Sequence, residues 1–258
     1  MTRCALVTGG GSGIGAAVAR LLAAEGYAVV VAGRRLDPLE AVAAEIGGTA
    51  ISADCGEPAG ADSAVRAALD EHGSLDALVY CAGLSRPGTV TEQTPEGWDA
   101  VLRTNLTGAF LTARAALPQL EQQRGSMVAV SSLAGLRAGP ASAAYCASKA
   151  GLNMLVQSIA VDYGPRGVRA NAVCPGWIRT DMADGSMDAL ADARGTDREG
   201  AYLLATARMP TRRAGDVEEV AGLVSWLLSP AAGYVNGAVI PVDGGANLLD
   251  AGMLEFQA

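Results

Sequence analysis

Tyr145 and Lys149 stand four residues apart in "YCASK", at the head of an apolar stretch with helical spacing. Residues i and i+4 share one face of a helix, with Cβ atoms about 6 Å apart. A free tyrosine has a pKa of roughly 10, too high for acid–base work at neutral pH. An ammonium held beside it stabilises the phenolate and lowers that value. The pair then supplies a general base toward an alcohol or a general acid toward a ketone. Taken alone, the spacing suits a packing tyrosine and a solvated lysine just as well. Ser131 and Ser132 argue for the chemistry. They close a β-branched run upstream, at the strand end where doubly wound folds bind ligands. A hydroxyl there can hydrogen-bond a substrate oxygen.

Such a pair needs elements to hold it, and the chain alternates between two kinds. Short β-branched runs ("CALVTG", "YAVVVAG", "LDALVYCAG", "SMVAVSS", "VRANAVCPG") are separated by Ala/Leu-rich stretches with helical period. The helices expected are Ile14–Glu25, Leu36–Ile46, Gly60–His72, Glu96–Glu121, Ala144–Tyr163 and Asp216–Leu228. Strands alternating with helices predict right-handed βαβ units. The fold class is therefore α/β: a doubly wound, Rossmann-type domain over 1–258, with about seven parallel strands covered by helices on both faces. Thr180–Pro210 breaks the rhythm. It is long, acidic and rich in small residues, and it reads as an excursion near the substrate. Few fixed contacts are expected there, with Met187, Leu190, Tyr202 and Met209 closing over a ligand.

"TGGGSGIGAA" (Thr8–Ala17) follows the first strand and opens the first helix. Glycines in that place permit a tight turn and let the backbone approach a pyrophosphate at the helix N-terminus. Gly11, Gly13 and Ala16 fit one register of a dinucleotide fingerprint, and Gly9, Gly13 and Gly15 fit another. Ser12 and Ile14 complete the turn. At the end of the second strand an NAD site calls for a carboxylate on the ribose 2′-hydroxyl. This chain has Gly33 there, followed by Arg34 and Arg35. A missing carboxylate and a guanidinium suit a 2′-phosphate, so NADP(H) is the expected cofactor and NAD(H) the alternative. Bound oxidised nicotinamide, itself a cation, would further lower the pKa of Tyr145. Asp54, before Cys55 in "SADC", is placed either to accept from the adenine amino group or to cap a turn.

Composition excludes several other functions. The formal net charge is −8, and no basic run favours nucleic acid. His72 is the only histidine, so no multi-histidine metal site exists; no metal is expected. His72 itself reads as a helix C-terminal residue. The five cysteines lack CxxC spacing and suit a reducing cytoplasm. The N-terminus enters a strand at once, which argues against a signal peptide. No apolar run is long enough to span a bilayer.

"TGGGSGIG", "LRTNLTGAF", "VSS", "YCASK", "NAVCPGWIRT" and "IPVDGG", in that order, resemble the short-chain dehydrogenase/reductase family in its shorter, single-domain form. The resemblance implies that Tyr145 exchanges the proton, Ser132 orients the substrate oxygen and Lys149 binds the nicotinamide ribose. It implies that Asn105 holds a water leading to bulk solvent. From the residues alone, Asn105 is a poor helix former inside Glu96–Glu121 and serves equally as a bend filler. Pro175, Gly176, Ile178 and Thr180 match the family's nicotinamide-side loop. The chain departs at one place. Where the family has Asn-Asn-Ala-Gly it carries Tyr80-Cys81-Ala82-Gly83. Ala82 and Gly83 keep the backbone close to the adenine ribose, and Cys81 reads as a buried filler.

The activity expected is hydride transfer between NADP(H) and a ketone or secondary alcohol. The alternatives are a 3-oxoacyl-thioester reductase and an NAD-dependent alcohol dehydrogenase. Leu84–Arg86, Ala134–Arg137, Trp177 and the 180–210 excursion are expected to bound a largely apolar substrate pocket. A homotetramer is expected from the resemblance and from the apolar end "LLDAGMLEFQA".

Overall fold

The computed structural model describes residues 2–248; the apolar end of the chain lies outside them. Seven strands form one all-parallel sheet in the order β3-β2-β1-β4-β5-β6-β7. They are β1 (Cys4–Thr8), β2 (Ala28–Gly33), β3 (Thr49–Ser52), β4 (Ala77–Tyr80), β5 (Ser126–Val130), β6 (Arg169–Pro175) and β7 (Val239–Val242). The helices are α1 (Gly13–Ala24), α2 (Leu36–Ile46), α3 (Pro58–His72), α4 (Pro95–Leu102), α5 (Gly108–Gln123), α6 (Ala143–Tyr163), α7 (Asp181–Arg194), α8 (Arg198–Thr206) and α9 (Val217–Leu228). The chain winds outward from β1 to β3, then returns to start β4 on the other side of β1. A cleft opens at such a reversal, beyond the carboxyl ends of the strands.

Successive strand side chains point to opposite faces, and that alternation divides the core in two. Leu6, Leu78, Tyr80, Met127 and Ala129 pack with α3, α5 and α6. Val7, Val79, Val128 and Val130 pack with α1, α2 and α9. Strands buried on both faces explain the continuous apolar runs in the sequence. His72 ends α3, and Gly73 follows it in the left-handed conformation.

Two elements differ from expectation. The helix expected over 96–121 is one helical path, but a π-turn at Arg103–Thr107 divides it into α4 and α5. The extra residue rotates the flanking turns relative to one another and brings Asn105 to a fully buried position. The excursion is a helical pair and not an open loop. Thr180 caps α7 by accepting from the Ala183 amide, Asp197 caps α8 by accepting from the Gly200 amide, and left-handed Gly195 ends α7. Ala183, Met187 and Ala191 recur at helical spacing and close a small core with Ala201, Tyr202 and Ala214. Arg198 pairs with Asp184 and Asp188, and Arg179 with Glu199. Met187 and Tyr202 are thus committed to this pair's own core, and Met209 packs on Leu133 and Ala246. The large apolar side chains that α7 and α8 leave exposed are Met182, Leu203 and Leu204.

Candidate active site

The strand ends β1, β2, β4, β5 and β6 meet around one cleft of about 350 Å³. Its phosphate end is the turn between β1 and α1. Gly9 and Gly13 have positive φ (+67° and +52°), a conformation that side chains resist. A Cβ on Gly9 would come within 2.9 Å of the Ala82 amide nitrogen, and one on Gly15 would collide with the Gly9 carbonyl. The register that matters is therefore Gly9, Gly13 and Gly15. Ser12 precedes α1 with its side chain free of any capping bond, and the first turn of α1 carries no carboxylate. The helix end is left open to an anion. Gly11, Ser12 and Ile14 line the same space.

Arg34 and Arg35 line the cleft at the end of β2. Both are exposed, and neither enters an ion pair among the described residues. Asp54 also lines it, beside Cys55, but one carboxylate oxygen accepts from the Gly56 amide at 3.0 Å. The turn role is filled by that oxygen, which leaves the other for a ligand. Ala82 and Gly83 form the floor. The Thr8 hydroxyl accepts from the amides of Cys81 and Ala82 (3.2 and 3.3 Å). It takes over the tie to β4 that an asparagine at position 81 would make. Burial pushes the Cys81 thiol up to about 12, away from the thiolate that a nucleophile needs.

At the other end stand Ser132, Tyr145 and Lys149. Ser131 also lines the cleft, but its hydroxyl is buried and its proton is given to the Lys149 carbonyl at 3.2 Å. The Ser132 hydroxyl accepts from the Ala134 amide and keeps its own proton available. Lys149 is buried; its ammonium donates to the Val130 carbonyl at 2.9 Å and lies 5.7 Å from the centre of the Tyr145 ring. Burial lowers its pKa to about 8, so it is mostly charged at neutrality. For Tyr145 the expected lowering does not dominate. Burial raises its pKa, and the facing Ser132 hydroxyl opposes that rise.

The depressed lysine has a measurable consequence for stability. Below about pH 8 both folded and unfolded chains carry the charge, and the fold bears its full desolvation cost. Between about 8 and 10.5 the folded lysine is neutral while the unfolded one is still charged, so stability rises with pH. Lys149→Met should lack that rise. Burial raises the neighbouring thiols Cys81 and Cys174, and the Lys149 ammonium opposes that rise in both, so its removal acts in the same direction as the expected difference. Urea midpoints at about pH 7.5 and 9.5 decide it: the wild type should gain on the variant, and parallel behaviour would exclude a buried, depressed lysine.

Asn105 stands behind this group and does not line the cleft. Its amide nitrogen donates to the Leu84 carbonyl and to the Ser148 hydroxyl, both at 2.9 Å, and its oxygen accepts from the Leu84 amide at 2.7 Å. Both N–H groups are occupied by protein, so the side chain acts as a clamp between the Leu84 segment and α6. Pro175, Gly176, Ile178 and Thr180 line the cleft after β6, with Trp177 and the start of α7 (Asp181, Met182, Ala183). The Thr180 hydroxyl is engaged as the α7 cap. Leu84–Arg86 and Ala134–Arg137, expected as substrate walls, are not lining residues of this cleft. Sequence reasoning gives no role to the side chains of Thr8, Tyr80 and Ser148; Thr8 and Tyr80 find backbone partners distant in sequence, and Ser148 meets the Asn105 side chain.

A glycine-lined turn at a helix N-terminus, exposed arginines at the second strand and a Ser-Tyr-Lys group at the fifth define a nicotinamide-dependent oxidoreductase of the doubly wound class. Residues 9–247 match a family described as Enoyl-(Acyl carrier protein) reductase, of the short-chain alcohol dehydrogenase type. The chain is 40% identical to Protein MoaE of Klebsiella aerogenes, over 99% of this chain and all of the relative. It is 36% identical to the 3-oxoacyl-(acyl-carrier-protein) reductase FabG of Staphylococcus aureus, over 95% of this chain and 98% of the relative. A solved structure of an actinorhodin polyketide ketoreductase variant with NADPH superposes with a TM-score of 0.91 and 32% identity, covering 96% of this chain and 98% of the other. The protein belongs to the short-chain dehydrogenase/reductase family.

Proposed function

We propose that the protein transfers hydride between NADP(H) and a ketone or secondary alcohol of apolar character. The observation that carries this is one cleft with Arg34 and Arg35, exposed and without ion-pair partners among the described residues, at one end and Ser132, Tyr145 and Lys149 at the other. The residues present fit a dinucleotide: glycine at 9 and 15 lets the turn close against Ala82 and against itself, and the first turn of α1 that follows carries no carboxylate to repel a pyrophosphate. Bound NADPH would supply the hydride. Tyr145 donates the proton to the carbonyl oxygen, and Ser132 donates a hydrogen bond that holds that oxygen in place. Because burial favours the neutral phenol, Tyr145 is poised as an acid toward a ketone. In the alcohol direction it must first lose its proton. The charged Lys149 and the cationic nicotinamide both favour that phenolate.

A 3-oxoacyl thioester is the second substrate reading, supported by the similarity to FabG. The net charge of −8 gives an acidic carrier protein no long-range attraction. Steady-state kcat/KM with NADPH tests both, over cyclic diketones, secondary alcohols, 3-oxo esters and 3-oxoacyl thioesters. Turnover of the small ketones supports the first reading, a preference for thioesters the second, and failure with all of them counts against both.

We also infer a homotetramer. Phe110 on α5, Met154 and Val161 on α6, Trp226 on α9 and Tyr234 are large apolar side chains left exposed, and such side chains suit subunit contacts. A monomeric mass in light scattering at micromolar concentration would contradict it. Unpaired cysteines suit a cytoplasmic location, and no helix among the described residues is long and apolar enough to cross a membrane.

A further inference from the structure

We propose that Tyr80 is a positioning residue for the reaction: its hydroxyl holds the Thr104 carbonyl and so fixes the turn that delivers Asn105 to Leu84 and Ser148. The proposal rests on the assignment of Ser132, Tyr145 and Lys149 made above. Tyr80 is the last residue of β4, and strand alternation directs its side chain to the α3–α5–α6 face. It is 1% exposed, which makes it one of the largest fully buried side chains of the fold. Its hydroxyl donates to the Thr104 carbonyl, the residue before Asn105 in the π-turn. A buried phenol needs a partner, and this is the one it has. Burial also keeps it protonated, and therefore a donor.

The contact is built from both sides. A Cβ on Gly108, the first residue after the π-turn, would collide with the Tyr80 hydroxyl. A tyrosine at position 80 thus requires glycine at 108, and the two choices are matched across 28 residues of sequence. From the turn the path to the chemistry is short. Asn105 clamps both backbone groups of Leu84, on the segment leaving β4, and donates to the Ser148 hydroxyl. Ser148 donates in turn to the Tyr145 carbonyl at 2.8 Å and stands next to Lys149 in α6. Thr104 also lines the cleft beside Tyr80 itself. The turn is therefore tied at three points: the end of β4 through Tyr80, the Leu84 segment and α6 through Asn105.

Tyr80→Phe removes the hydroxyl and keeps the ring. With NADPH and either ethyl acetoacetate or cyclohexane-1,2-dione, kcat should fall about tenfold, the size expected when one directed hydrogen bond is lost. The KM for NADPH should stay within about twofold, because no cofactor-holding group has moved. Amide exchange at Leu84 and across 103–108 should accelerate, a readout that needs no turnover. Gly108→Ala crowds the same hydroxyl, so its effect on kcat should shrink in the Tyr80→Phe background. A lowered Tm with unchanged kcat in Tyr80→Phe, or strictly additive losses in the double variant, would overturn the proposal. Asn105→Ala separates the two levels. If it lowers kcat while Tyr80→Phe does not, only the role of Tyr80 fails; if Tyr145→Phe leaves kcat intact, the site assignment itself fails.

Discussion

Tyr145→Phe should lower kcat by about 10²–10⁴-fold, the range that general acid–base groups contribute. NADPH affinity should change little, because the substitution removes one hydroxyl and leaves the glycine turn and the arginines in place. The two effects can be separated by following the fluorescence of Trp177, which lines the cleft, as NADPH is added. The pH profile carries a further expectation. Burial holds Tyr145 above its ordinary value and Lys149 near 8. Ketone reduction, which uses the phenol, should persist well above neutrality. Alcohol oxidation, which uses the phenolate, should rise with pH across the same range. Activity of Tyr145→Phe within a few-fold of wild type would remove Tyr145 from the proton path and leave Ser132 as the remaining candidate donor.

The parts of this site that the sequence announces are those carried by local pattern. The Gly9–Gly15 turn lies between a β-branched run and a helical one, and the positive φ of Gly9 and Gly13 favours glycine there. Tyr145 and Lys149 are placed by helical spacing alone. Tertiary partners decide the rest. Asn105 reads as a bend because nothing near it in the chain shows that Leu84 and Ser148 will meet its amide. The π-turn has no compositional mark, since its flanking residues keep ordinary helical angles. Tyr80 in place of asparagine looks like a lost function until the Thr104 carbonyl and Gly108 are seen around its hydroxyl. The 180–210 segment is a different case. Thr180, Asp197 and Gly195 are legible helix signals, and Ala183, Met187 and Ala191 keep helical spacing. Its acidic, small-residue composition hides a core made mostly of alanine.

NADPH should be preferred over NADH by about ten- to a hundredfold, and the preference rests on two adjacent positions. Gly33 cannot accept from a ribose 2′-hydroxyl, and Arg34 is exposed at the cleft without an ion-pair partner among the described residues. Charge-assisted hydrogen bonds are worth roughly 1.5–3 kcal/mol, less at an exposed rim. That range converts to about one to two decades in affinity. Gly33→Asp should reverse the preference. Gly33 lacks a positive φ, and a Cβ there meets only Leu39 methyls at 3.7 Å, an ordinary contact, so the carboxylate can be installed without distorting β2. It would repel the 2′-phosphate and accept from the 2′-hydroxyl instead. Arg34→Ala should erode NADPH use more than NADH use, and Arg35→Ala less so if Arg34 is the principal partner. Ser12 sharpens the comparison. It brings no second cation to the glycine turn, so the phosphate depends on the two arginines, and Ser12→Arg should raise the preference further. These outcomes follow from kcat/KM for both cofactors in the four variants and the wild type. A wild-type preference for NADH would mean that Arg34 stacks on adenine, and that the 2′-hydroxyl finds its acceptor elsewhere than at the end of β2.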